Sequence, residues 1–130
     1  GLQSNDIKLI DQENYTSGSS VEKGKNFTAE MLKRNQDLDC IYCSTDVIAM
    51  GAVMHCLEVG ISIPNELAIA GFNKLSMASG LPIKLATTDS LRFEIGKLAA
   101  NMILERNEQN ITNPAKTIEL ETSVDMGTSI

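Results

Sequence analysis

The stretch Asp39-Cys-Ile-Tyr-Cys-Ser-Thr-Asp-Val-Ile-Ala-Met-Gly51 constrains the fold more than any other. It opens as a short apolar run with β-branched and aromatic character. It then passes through Ser44, Thr45 and Asp46 into a helical run. Hydroxyl and acidic side chains at such a switch accept hydrogen bonds from the free amides of a first helical turn, so the pattern predicts a strand that feeds a helix. In an open α/β sheet, small molecules bind at the carboxyl ends of strands, beside helix starts of this kind.

The same unit recurs along the chain. Ile7 to Ile10 predicts a short strand. After a loop rich in Ser, Asn and Gly, Ser19-Ser-Val-Glu22 reads as a capping box for a helix that carries Val21, Phe27, Met31 and Leu32 and ends near Arg34 or Asn35. Asp39 to Cys43 is the next strand, and Asp46 to Val59 the next helix, closed by Gly60 with Pro64 beyond. Leu67 to Gly71 predicts a buried strand covered on both faces. One helical turn is expected within Phe72 to Gly80, then an extended segment from Leu85 to Thr88. Ser90 is placed to cap a helix over Leu91 to Arg106. Asn107 to Ala115 reads as a polar loop. Thr117 to Thr122 alternates and predicts a half-exposed strand, with Ser123 to Ile130 as a tail. This order predicts an α/β fold with a mostly parallel sheet flanked by helices and right-handed crossovers. Three core strands with two covering helices, plus a long third helix with an apolar stripe, suggest a fragment, or one lobe of a two-lobed protein.

Charge and cysteine usage exclude several classes. With 11 basic against 17 acidic residues and a pI near 4.7, this chain lacks the clustered cations that gripping nucleic acid requires. No apolar run reaches membrane-span length, and no basic-then-apolar leader opens the sequence. Cys40 and Cys43 are three apart in a strand-like run and point to opposite faces, so they suit neither a disulfide nor a shared metal. Cys56 falls on an apolar helix. All three are expected as buried, reduced thiols of a cytoplasmic protein. His55 is the single histidine, so zinc is not expected, nor any cofactor.

The helix at 46–59 is apolar nearly all round, whereas a helix lying on a sheet needs one apolar stripe. It is either covered twice within one chain or covered by a second copy. Having only three long helices, the chain favours self-association, with the Met-rich surface as the contact.

Three motifs, in order, carry a resemblance: Leu38 to Ala52, Gly60 to Phe72, and Leu85-Ala-Thr-Thr followed by Glu94-Ile-Gly96. Over about residues 7–130 the chain resembles the effector-binding region of lactose-repressor (LacI/GalR) family transcription regulators. Ala68 to Phe72, the surroundings of Cys56 and the ending Gly127 to Ile130 resemble the gluconate-operon repressor branch. The resemblance implies a periplasmic-binding-protein-like type I architecture. Residues 1–130 would be a partial effector-binding domain: 7–90 the core of the C-terminal lobe, 91–122 the last crossover helix and strand, and 123–130 the tail. It also implies a homodimer through Ala49, Met50, Val53, Met54 and the segment Leu75 to Ser79, which includes Met77. Operator DNA would be bound only through an N-terminal headpiece lying outside this sequence, with no membrane involved.

Matching positions imply that Ser19, Thr45, Asn73 and Arg92 hold a small effector between lobes. Thr45 stands where the family usually has Asn, and Asn73-Lys74 where it usually has Asp-Asp or Asp-Asn. An Asp at position 73 would repel a carboxylate, whereas Asn73 keeps an acceptor and adds a donor. With Lys74 and Arg92 nearby, that favours a sugar acid such as gluconate over a neutral sugar. The same positions have plainer readings: Ser19, Thr45 and Ser44 as helix caps, Asp46 as a partner of the helix dipole, and Asn73 as a turn residue. No GxSxG, phosphate loop or dinucleotide motif is present, and no paired acids with a base, so the expectation is a binding protein rather than an enzyme. A periplasmic-type sugar-binding protein of a transport system shares this fold and is the alternative.

Overall fold

The structure, a computed structural model, describes residues 8–108 and 116–130. Helix α1 (Val21–Arg34) precedes strand β1 (Cys40–Tyr42), helix α2 (Asp46–Val59), strand β2 (Ala68–Phe72), a 3-10 turn (Ser76–Gly80), strand β3 (Ala86–Asp89), helix α3 (Arg92–Glu108) and strand β4 (Ser123–Asp125). The strands form one sheet in the order β1-β2-β3-β4. The first three are parallel, with Ile41 opposite Ile69 and Gly71 opposite Thr87, and β4 closes the far edge antiparallel to β3. The α/β fold with a mostly parallel sheet is therefore the one expected.

Local chemistry sets the helix ends. Thr45 caps α2 by accepting from the Ile48 amide, and Gly60 ends it at φ 80, a left-handed position that glycine takes without steric cost. Helix α1 starts one residue later than the capping-box reading placed it: Ser20, not Ser19, accepts from the Lys23 amide at 3.1 Å. At α3 the expected Ser90 cap does not form. The Asp89 carboxylate takes the Leu91 amide instead, and the Ser90 hydroxyl is buried without a partner.

Helix α2 is apolar on all sides because it is covered twice within the chain. It packs on β2 on one side and on α1 on another. The core runs through Ile41, Ile48, Val53, Cys56, Leu67 and Ile69. Two glycines bring α1 and α2 together. A Cβ on Gly51 would lie 2.7 Å from the Gly24 Cα, and one on Gly24 would lie 2.9 Å from the Ile48 carbonyl carbon. Ala49 and Val53, expected on a self-association surface, are fully buried under this cover, and Met50 is 8% exposed. Of the residues expected at that surface, Met54 and Met77 are exposed.

Three further expectations change. Lys8 to Ile10 form no strand, and Ile7 lies outside the described residues. Residues 117–122 form no strand either. Alternation makes a strand only where an edge offers backbone partners, and β4, which does pair, starts at Ser123 in what read as a tail. That tail is stitched into the sheet at the amino ends of its strands. Ser129, fully buried, accepts from the Ala86 amide at 2.7 Å and donates to the Ile69 carbonyl at 2.6 Å. Cys40 is exposed rather than buried, because β1 is the open edge strand and Cys40 and Tyr42 share its uncovered face; Cys43 and Cys56 are buried thiols. Most of the loop read at 107–115 falls outside the described residues.

Helix α3 stands away from the rest. Phe93 is 79% exposed and Ile103 62%, so the apolar character of this helix is not used by the described residues.

Candidate functional site

The carboxyl ends of β1, β2 and β3 lie along one edge of the sheet, because the three strands are parallel and adjacent. The segments leaving them are Cys43 to Thr45, Asn73 to Leu75, and Ser90 to Arg92. All four expected ligand residues lie on or beside this edge, but they fall into two groups.

Asn73 and Arg92 line one cavity of about 290 Å³, together with Lys74, Asp89, Leu91, Phe93 and Glu94. Its backbone is unusual. Asn73 (φ 101), Lys74 (φ 48) and Leu91 (φ 50) all occupy left-handed conformations that non-glycine residues rarely take. Each is held by named bonds. The Asn73 amide donates to the Thr88 carbonyl at 3.0 Å, and the Lys74 amide to the Thr87 hydroxyl at 3.2 Å. Below them sits Asp46, fully buried, which accepts from the Thr87 hydroxyl at 2.6 Å and the Leu75 amide at 2.5 Å. Asp46 opens α2, as the dipole reading held, but it is also the post on which the 73–75 turn rests. Gly71 makes room for it: a Cβ there would lie 3.2 Å from the Asp46 Cα.

Charge around the cavity is mixed. The Lys74 ammonium lies 3.6 Å from Asp89 Oδ2, and Asp89 Oδ1 accepts the Leu91 amide at 3.0 Å. Arg92 is exposed and has no ion-pair partner among the described residues, so its guanidinium is available to an anion.

Ser19 and Thr45 belong to the second group, around Tyr15. The Tyr15 hydroxyl lies 3.1 Å from the Ser19 hydroxyl and 2.7 Å from that of Ser44. The Lys23 ammonium donates to Ser17 Oγ at 2.5 Å and to the Gly18 carbonyl at 2.6 Å, and sits 5.6 Å from the centre of the Tyr15 ring. Hydrogen bonds with Ser19 and then Ser44 hold the Tyr15 phenol below its ordinary pKa. The ring is fixed from behind by stacking on Phe27 at 5.8 Å. Thr45 is engaged as the α2 cap at 3.3 Å from the Ile48 amide. This group is a ready set of hydroxyls and one ammonium beside the α1 and α2 starts, where exposed amides favour oxygen-rich or anionic ligands.

Sequence reasoning missed Tyr15 and Lys23. The available signal was a lone aromatic, Tyr15, in an otherwise polar loop that ends Thr16-Ser-Gly-Ser-Ser20. Among the described residues, no group of three or more His, Cys, Asp or Glu side chains could hold a metal ion, and no helix is long and apolar enough to cross a membrane.

Comparison with known proteins adds three findings. A periplasmic binding protein-like domain family matches residues 4–130. The HTH-type transcriptional regulator IdnR of Escherichia coli K12 is 37% identical over 95 residues, which is 73% of this chain and 29% of that protein. Among solved structures, a LacI-family transcriptional regulator from Silicibacter pomeroyi superimposes with a TM-score of 0.88 at 41% identity, covering 98% of this chain and 38% of its own. A LacI-family transcriptional regulator from Enterococcus faecium with bound ribose does so with a TM-score of 0.75 at 25% identity, covering 85% and 40%. The chain thus spans well under half the length of each of these relatives.

Proposed function

The chain belongs to the family of periplasmic binding protein-like domains, and from that premise we propose that it is the effector-binding and dimerisation part of a LacI-family DNA-binding transcription regulator, a repressor that senses a small sugar acid such as gluconate. The observation that carries the reading is the cavity at the carboxyl edge of the sheet, which Asn73, Lys74 and Arg92 line together. The relatives named as transcription regulators support the regulator reading. The ribose bound to the Enterococcus faecium relative supports a polyhydroxylated small molecule.

Asn73 is the element that turns this toward an acid. It offers a carbonyl and an amide to hydroxyls without a negative charge, while Lys74 and Arg92 supply positive ones. Ser19 and Thr45, with Tyr15 and Lys23 beside them, would meet the far end of the ligand through hydroxyls. The left-handed turn at Asn73 does not compete with this role, since Asn tolerates that conformation.

The test is operator release. In the full-length cytoplasmic protein, gluconate should shift the apparent affinity for operator DNA several-fold while glucose leaves it unchanged, read by gel shift. The alternative, a periplasmic-type sugar-binding protein of a transport system, predicts no operator binding at all. Dimerisation would run through the exposed Met54 and Met77 surfaces. Sedimentation velocity of the wild type and Met77→Glu at micromolar concentration should give a dimer and a monomer respectively; a monomeric wild type contradicts it.

A further inference from the structure

The carboxylate of Asp89 serves two partners at once. One oxygen lies 3.6 Å from the ammonium of Lys74, a residue that lines the cavity, and the other accepts the Leu91 amide at 3.0 Å. Leu91 holds φ 50, a conformation a branched side chain occupies only under constraint, and it is the last residue before α3. The carbonyl of Leu91 then takes the Ile95 amide at 2.9 Å, so the same joint sets the first turn of that helix. Along α3, Phe93, Ile95, Ile103 and Leu104 are exposed. One side chain therefore connects the cation of the cavity to the direction in which α3 leaves the sheet.

We propose that Asp89 is a charge gate. It occupies Lys74 when the site is empty, an anionic effector must take Lys74 from it, and the displaced carboxylate loosens the Leu91 joint and with it the start of α3. This rests on the sugar-acid reading and adds to it a residue that sets affinity and a route by which binding reaches α3. A neutral sugar offers the ammonium only hydroxyl acceptors, which are weaker than a carboxylate, so it leaves Asp89 in place. The Lys74 and Asp89 side chains are 47% and 30% exposed, so the pair is a weak one of the solvent-screened kind and an effector can displace it.

The test is a double-mutant cycle in the full-length protein, with gluconate as the probe in calorimetric titration. Asp89→Asn removes the charge but keeps an oxygen for the Leu91 amide. It should tighten gluconate binding by roughly threefold to fivefold, the worth of a screened surface pair. In a Lys74→Gln background the same change should do nearly nothing, because no ammonium remains to be released. Amide hydrogen exchange is the second readout: gluconate should speed exchange at Leu91 and Ile95 in the wild type, and less so in Asp89→Asn. Equal tightening in both backgrounds would mean plain repulsion between Asp89 and the ligand, and would overturn the gate. So would unchanged affinity in Asp89→Asn while the wild type binds gluconate, a result that leaves the sugar-acid reading standing. A wild type that binds glucose and not gluconate overturns that reading, and the gate with it.

Discussion

Replacing Asp46 by Ala removes the post under the 73–75 turn. Its two oxygens are the acceptors for the Thr87 hydroxyl and the Leu75 amide, at 2.6 and 2.5 Å. Both donors lose their partner, and the residue is fully buried, so water does not replace it. An unsatisfied buried donor costs about 1–3 kcal/mol, and hydrogen bonds to a charged acceptor stand at the upper end of the range. Removing the buried charge itself relieves a desolvation penalty, which offsets part of the loss. The net expectation is a destabilisation of about 2–4 kcal/mol, seen as a lower urea midpoint with an unchanged slope. Asp46→Asn keeps one acceptor oxygen but turns an amide donor toward the other partner, so it should recover about half at most. Thr87→Val should cost about 1–2 kcal/mol alone and less in the Asp46→Ala background, where its bond to Asp46 is already gone and only the one from the Lys74 amide is left to lose. An Asp46→Ala variant within about 0.5 kcal/mol of wild type, a typical inert-surface change, would refute the reasoning and return Asp46 to the helix dipole.

Two further outcomes follow from packing and burial. Gly51→Ala should destabilise by about 3 kcal/mol, because its Cβ would meet the Gly24 Cα at 2.7 Å with backbone on both sides. Gly96→Ala on α3, with nothing within 4 Å, should be neutral or stabilising by up to about 1 kcal/mol; urea melts of the pair check both. Burial pushes the Cys43 thiol up to about 12 and the Cys56 thiol to about 11, from an ordinary value of 9.0. These raised values favour folding below pH 9 and lose that contribution as pH rises toward 11–12, where the native thiols ionise. Stability should therefore fall between pH 9 and 11, by on the order of 1 kcal/mol per unit for each thiol. In the native protein a thiol reagent should label Cys40 alone, and mass spectrometry of the labelled peptides reads it.

What the sequence made legible was local and periodic. Thr45 and Gly60 bracket α2 as their chemistry dictates, and the apolar run ending at Phe72 pairs in parallel as its composition implies. What it hid depends on distance along the chain. The second cover of α2 is α1, reached through Gly24 and Gly51, and nothing in an apolar pattern says whether its partner is internal or a second copy. Residues 117–122 have strand alternation but pair with no edge of the described sheet. Ser129 has no pattern at all yet is buried, because its hydroxyl bridges two strands 43 and 60 residues away in sequence. Asn73 and Arg92, named by resemblance, line one cavity. The Tyr15 network was not named, since it depends on a loop folding back onto the end of β1 from 29 residues earlier.

Calorimetric titration of the full-length wild type and Asn73→Asp with gluconate and with glucose tests whether the cavity beside Asn73 suits an anion. An added carboxylate at contact distance in a partly screened site repels an acid by on the order of a few kcal/mol. Part of that is relieved by Lys74 and Arg92 at the same cavity. Wild type should prefer gluconate, Asn73→Asp should weaken gluconate binding by roughly tenfold or more, about 1.4 kcal/mol, and glucose binding should change little. A wild type that prefers glucose, or a variant that binds gluconate unchanged, contradicts it.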